Sequence, residues 1–150
     1  MSDINTFEDL EVWKRGCQLA VDVYVANHAS KDFGLKDQMQ RSAVSIPSNI
    51  AEGCERDSTP EFIKFLRYSK GSCGELRTQL YISDRVRKKL SQPSLEGSRE
   101  MISETKELSK MIQGLINSLK RRSASYSTVH CSLLTRHFFL FLFLFLFSAH

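Results

Sequence analysis

Acidic residues are missing from the end of this chain. All 17 Asp and Glu lie at or before Glu107, while residues 108–150 carry Lys110, Lys120, Arg121, Arg122 and Arg136 with no counter-charge. The whole chain is only mildly basic, at +4, far from the excess of a histone-like protein. No run reaches the roughly 20 apolar residues that a spanning helix needs, so a membrane protein is not expected. The first residues include Asp3, Glu8 and Asp9 and no apolar h-region, so no secretory leader is expected and a cytoplasmic location is. Cysteines are few and scattered: Cys17, Cys54, Cys73 and Cys131 form no Cys-x-x-Cys pair. They read as buried hydrophobes or free thiols. His28, His130, His137 and His150 show no i, i+4 pair with a nearby acid, so neither a metal nor another cofactor is expected.

No stretch alternates like an amphipathic strand, and helical periodicity fills the chain instead. Thr6-Phe7-Glu8-Asp9 resembles a capping box, with an acid three residues after a hydroxyl. Beyond it Leu10, Trp13, Cys17, Ala20 and Tyr24 recur at steps of 3 and 4, predicting the inward face of a helix to about Asn27. Residues 27–32 read as a turn. Leu35, Met39, Ala43, Ile46 and Ile50 line a second helix, in which Pro47 should place a kink. Gly53 is expected to end it in a left-handed C-terminal position. Ser58-Thr59-Pro60-Glu61 is a start signal of hydroxyl cap, proline and first-turn acid. The helix it opens carries Phe62, Phe65, Leu66, Ser69, Cys73, Leu76, Leu80 and Ser83 inward and reaches about Leu90, before Gln92-Pro93-Ser94. A fourth stripe follows in Met101, Thr105, Leu108, Ile112, Leu115 and Leu119. Four amphipathic helices with short connections predict an all-α, up-down antiparallel four-helix bundle over residues 1–122. Residues 123–150 stand apart as a Ser-rich linker and a Phe/Leu-rich tail. Six of the ten Phe fall within Phe138 to Phe147, apolar on both faces. The tail reads as disordered or poorly packed, a frameshifted or read-through end, with membrane tethering as the alternative.

Two constellations could carry function. On the second helix Arg41, Ser45, Asn49 and Glu52 fall on one side, away from the apolar stripe. Such a row is either an interface to a subunit or ligand, or a buried hydrogen-bond network that sets helix register together with Glu75. No nucleophile there has an adjacent base, so no catalytic residue is assigned. On the third helix Lys70, Arg77 and Lys88 lie 7 and 11 residues apart, with Arg67 and Arg85 on the adjoining edge. That makes a cationic stripe about 30 Å long with Asp84 as its one nearby acid. It suits contact with a phosphate backbone, or equally a solvated face neutralised by acids of a neighbouring helix. A Gly-x-x-Gly at Gly71 and Gly74 lies mid-helix rather than in the loop of a strand-containing nucleic-acid module, and close approach of another helix is the expected reason for it. Ser103 to Lys106 matches Ser-x-x-Lys without the companion motifs of an acyl-enzyme hydrolase.

Phe7-Glu8-Asp9-Leu10-Glu11-Val12-Trp13, Phe33-Gly34-Leu35 with Gln38 and Arg41, and above all Ser45-Ile46-Pro47-Ser48-Asn49-Ile50-Ala51-Glu52-Gly53 resemble the bacterial 23S rRNA-intervening-sequence protein family of four-helix bundles. Arg56, Phe62, Phe65-Leu66, Gly71-Ser72 and Glu75-Leu76 continue the likeness, which covers residues 6–120. The stretch from Asn27 to Asp32 departs from the family pattern, and residues 123–150 have no counterpart in it. The bundle is also similar to the accessory variability protein of diversity-generating retroelements, a pentameric barrel that binds nucleic acid and a reverse transcriptase. The resemblance implies a non-enzymatic homo-oligomer, pentameric by that analogy, that engages RNA or DNA; on that reading the cationic stripe of Arg67, Lys70, Arg77, Arg85 and Lys88 makes the phosphate contacts. The alternative it leaves is a structural or adaptor bundle whose polar seam holds a protein partner such as a reverse transcriptase, without touching nucleic acid.

Overall fold

A computed structural model describes the backbone of residues 6–147 and the side chains of residues 6–124. A 3-10 turn, Phe7–Asp9, is followed by α1 (Glu11–Ala26), α2 (Phe33–Cys54), α3 (Thr59–Lys89) and α4 (Ser98–Phe147), and the described residues contain no strand. The chain divides into two compact units after Ile116. The first holds α1, α2, α3 and the start of α4; in the second the described backbone is that of α4. The linker-and-tail reading of residues 123–150 falls almost wholly on residues whose side chains lie outside the described ones.

Local chemistry explains the helix ends. Thr6 does not cap α1. Its hydroxyl reaches Asp9 (3.4 Å) over the 3-10 turn, whose Phe7 ring meets Trp13 edge-on at 5.1 Å. The Asp32 carboxylate accepts from the Leu35 amide (3.1 Å) at the start of α2, and Ser58 does the same for Glu61 (3.4 Å) at the start of α3, each satisfying a donor that the first turn leaves open. α3 stops ahead of Pro93. The Gln92 amide donates to the Arg87 carbonyl (2.8 Å) and the Ser91 amide to that of Lys88 (3.2 Å), a Schellman closure with Ser91 at φ 53° where glycine is usual. Gly97, at φ 66°, sets the entry to α4.

Packing is antiparallel, as the partner numbers show. Along α2·α3, Ser42 meets Gln79, Ser45 meets Ser72 and the Ile46 carbonyl meets Ser69. Along α3·α4, Asp84 meets Ser98 and Lys70 meets Gln113. Most of the predicted stripes of α2, α3 and α4 form the core: Met39, Ala43, Ile46, Ile50, Leu66, Cys73, Leu76, Leu80, Leu108 and Ile112 are wholly buried, while Leu35, Phe65 and Leu115 are half-buried. Each large apolar side chain among them contributes about 1.5–3 kcal/mol.

Several expectations meet the structure differently. The inward face of α1 is Val12, Gly16, Leu19, Ala20 and Val23, one residue around from the expected row; Leu10, Trp13 and Cys17 are half-buried and Tyr24 is 49% exposed. Gly16 brings α1 onto Pro47, where a Cβ would sit 3.6 Å from the ring, and α2 stays helical through that proline. Gly53 adopts helical rather than left-handed backbone and serves close packing: a Cβ there would lie 2.7 Å from Phe65 Cβ and 2.9 Å from Phe62 Cδ2. Gly71 and Gly74, expected to admit another helix, have open space at the Cβ position. Gly53→Ala should therefore cost about 1–3 kcal/mol through overpacking, whereas Gly71→Ala and Gly74→Ala should each add about 0.5–1 kcal/mol through helix propensity. Urea denaturation of the three variants reads both signs, and equal effects would refute the packing role given to Gly53.

Candidate nucleic-acid interface

The polar row of α2 divides. Ser45 and Asn49 join a seam against α3, with the Ser45 and Ser72 hydroxyls 2.9 Å apart and the Asn49 amide donating to Ser45 Oγ (2.9 Å) and to the Ser45 carbonyl (2.7 Å). Ser72 also lies 3.2 Å from the Tyr68 carbonyl. Gln79 donates to Ser42 (3.0 Å), and the buried Ser69 donates to the Ile46 carbonyl (2.8 Å). These partners are hydroxyls, two amides and carbonyls, so the serines meet no general base in the seam. Arg41 and Glu52 lie outside it. Arg41 pairs with Asp37 one turn back on the exposed surface of α2 at 2.8 Å, and Glu52 with Arg56 just past the end of that helix at 2.6 Å. Glu75 is exposed on α3. Ser72, Ser42 and Gln79, which the sequence did not assign to this row, complete the seam; the recurrence of serine on both sides of one helix pair was the signal for them.

The five cations of α3 share one flank. At 100° per residue Arg67, Lys70, Arg77, Arg85 and Lys88 span an arc of about 80° on the side facing α4. Arg67, Arg85 and Lys88 are exposed, and Lys70 and Arg77 are half-buried. The Lys70 ammonium donates to Gln113 Oε1 (2.7 Å), which uses one of its three donors. Asp84, the acid on this flank, is half-buried and accepts from the Ser98 hydroxyl (2.7 Å).

What decides the sign of this face is the way α4 is turned. Glu100, Glu104 and Glu107 form one row of α4, and that row faces α1: Glu104 takes a bidentate pair from Arg15 at 2.7 and 2.6 Å. This hydrogen bond holds the Arg15 guanidinium more firmly protonated than usual. Glu107, which leans toward Lys110, has its carboxyl pKa lowered by that hydrogen bond. Arg99, Lys106 and Gln113 recur every two turns on another row, which Gln113 places beside Lys70. Arg99 and Lys106 are exposed. The acids of the neighbouring helix thus turn away from the stripe, and its cations extend it. The seven-residue recurrence was visible in the sequence; which helix it faces was not.

Cys73 shows how closed the interior beneath this face is. Burial pushes its thiol from an ordinary value near 9 up to about 11. Cys17 and Cys54 are raised by burial as well. Among the described residues no group of three or more His, Cys, Asp or Glu is placed to hold a metal ion, and no helix is long and apolar enough to cross a membrane.

A helical bundle with a fixed polar seam and a cationic flank defines the class. The family model of the 23S rRNA-intervening sequence protein matches residues 8–114, and the chain belongs to that family. Among solved structures it is similar to a protein of unknown function from the S23 ribosomal protein family of Bacteroides thetaiotaomicron, with 23% identity, a TM-score of 0.62, and coverage of 70% of this chain and 97% of that one. No curated protein matches.

Because the folded thiol of Cys73 ionises later than an unfolded one, its burial stabilises the fold fully below pH 9 and ceases to do so as the pH passes about 11. The stability gap between the parent protein and Cys73→Ala should narrow across that window. A gap independent of pH in parallel urea titrations would contradict this burial.

Proposed function

We propose that this chain is a non-enzymatic, self-associating four-helix bundle that binds RNA or DNA through the joined cationic flanks of α3 and α4. The observation that carries the reading is the segregation of charge on α4. With Glu100, Glu104 and Glu107 turned toward α1, the stripe from Arg67 to Lys88 has no row of neighbouring acids to neutralise it, and Arg99 and Lys106 broaden it. Such a surface, about 30 Å long, matches the regular negative charge of a nucleic-acid backbone. Phosphate contacts of this kind position a strand without reading its sequence.

Self-association draws support from a different side of the bundle. Val21, Tyr24 and Val25 of α1 and Val44 of α2 are exposed large apolar side chains. A patch of this sort on a small bundle suits contact with further copies of the chain. A pentamer is the stoichiometry that the family likeness offers, and cytoplasmic residence is the setting that fits it.

Fluorescence anisotropy with structured rRNA fragments tests the reading. Affinity should fall steeply as salt rises, and Arg67→Ala and Lys88→Ala should each reduce the slope of log affinity on log salt by about one. Lys14→Ala, on α1, should leave the slope unchanged. No binding at low salt, or binding indifferent to salt, would refute the nucleic-acid role and leave an adaptor for a protein partner as the surviving reading. Sedimentation of the same protein reads the assembly: a mass of 17.2 kDa would refute self-association.

A further inference from the structure

The cationic flank is interrupted at one point by an aromatic ring. Tyr81, on the same side of α3 as Arg77 and Arg85 and one turn from each, is 43% exposed. It lines a hollow of about 340 Å³ together with Asp84, Arg85, Lys88, Gln92 and Ser94. The left-handed Ser91 turns the chain so that Gln92 and Ser94 come back beside the helix end they have just left.

The lining sorts into three chemical kinds. A phenol ring gives an apolar plane of the right size for a base to lie on. Arg85 and Lys88 add cations at one side, where the phosphates of a bound strand would run. Asp84 is the third. Its Oδ2 accepts from Ser98, while Oδ1 is buried with no hydrogen-bond partner among the described residues. A carboxylate in the lining disfavours a phosphate seated inside the hollow and leaves the backbone to the cations.

We propose that this hollow is a pocket for one unpaired nucleobase: Tyr81 stacks on the base, and Arg85 and Lys88 hold the phosphates on either side of it. The proposal rests on the nucleic-acid reading of the flank and sharpens its ligand from nucleic acid in general to strands with an unstacked base. A base inside a duplex is already stacked on both faces and cannot reach the ring, so a duplex would engage the cations alone.

The test compares a single-stranded RNA of about twelve nucleotides with the same sequence as a blunt duplex, in anisotropy titrations of the full chain at about 50 mM salt. Tyr81→Leu should weaken the single strand about five- to a hundredfold and leave the duplex unchanged, since stacking is the interaction removed. Tyr81→Phe, which keeps the ring, should stay within about threefold of the parent protein. Circular dichroism melts confirm that both variants fold. If Tyr81→Leu leaves the single strand unchanged, or weakens strand and duplex alike, the base pocket is refuted while the cationic surface stands. If neither RNA binds the parent protein, the underlying reading fails and the pocket with it.

Discussion

The contact on which the rest of this molecule depends is the close approach of α2 to α3. Gly53 lets the backbones meet at Phe62 and Phe65, where a single extra carbon would collide. Farther along, Ser42, Ser45, Ser69 and Ser72 keep the spacing narrow and spend their hydroxyls on one another, on amides and on the Ile46 carbonyl. Small polar side chains are satisfied here only at one register, because a slip by a turn would leave buried hydroxyls without partners. The seam thereby fixes the rotation of α3 about its own axis.

That rotation has an electrostatic consequence. With its serine side against α2 and Leu66, Cys73, Leu76 and Leu80 in the core, α3 presents Arg67, Lys70, Arg77, Arg85 and Lys88 along the edge next to α4. α4 is fixed in turn by the pair between Arg15 and Glu104, which draws its acidic row toward α1 and leaves Arg99 and Lys106 with the other cations. Gathering like charges along two adjoining helices raises their mutual repulsion, which a globule built for stability alone would relieve by interspersing acids. On the proposed function, a bound polyanion is what relieves it. The aromatic ring of Tyr81 in the same row gives that binding a preference for one form of polyanion over another, on the proposal made above.

Much of this was legible in the sequence. The stripes of α2, α3 and α4 were plain because each has one apolar face and strongly polar flanks, and Ser58-Thr59-Pro60-Glu61 marked its helix start by chemistry that needs no tertiary partner. The stripe of α1 was ambiguous. Its apolar residues cover so wide an arc that Leu10-Trp13-Cys17-Ala20-Tyr24 and Val12-Gly16-Leu19-Ala20-Val23 both satisfy helical spacing. The choice is made elsewhere, by Phe7 taking the Trp13 ring and by Pro47 needing the bare side of Gly16. Gly53 was misread for a related reason: a glycine near a helix end looks like a cap until the neighbouring helix is in place. At the site, the cations of α3 could be listed from spacing, and so could Arg41, Ser45, Asn49 and Glu52. Their partners could not. Whether Arg41 reaches α3 or only Asp37, and whether the acids of α4 face the stripe or avoid it, are settled by helix rotation, which periodicity leaves free.

The most direct measurement is ultraviolet cross-linking of the full chain to a bound structured RNA, with the attached peptides identified by mass spectrometry. The expected result is attachment along the Arg67-to-Lys88 flank of α3, at Tyr81 in particular, and around Arg99 and Lys106 of α4. Attachment concentrated on α1, where the acids of α4 lie close, or on the outer surface of α2, would contradict the assignment of the binding face.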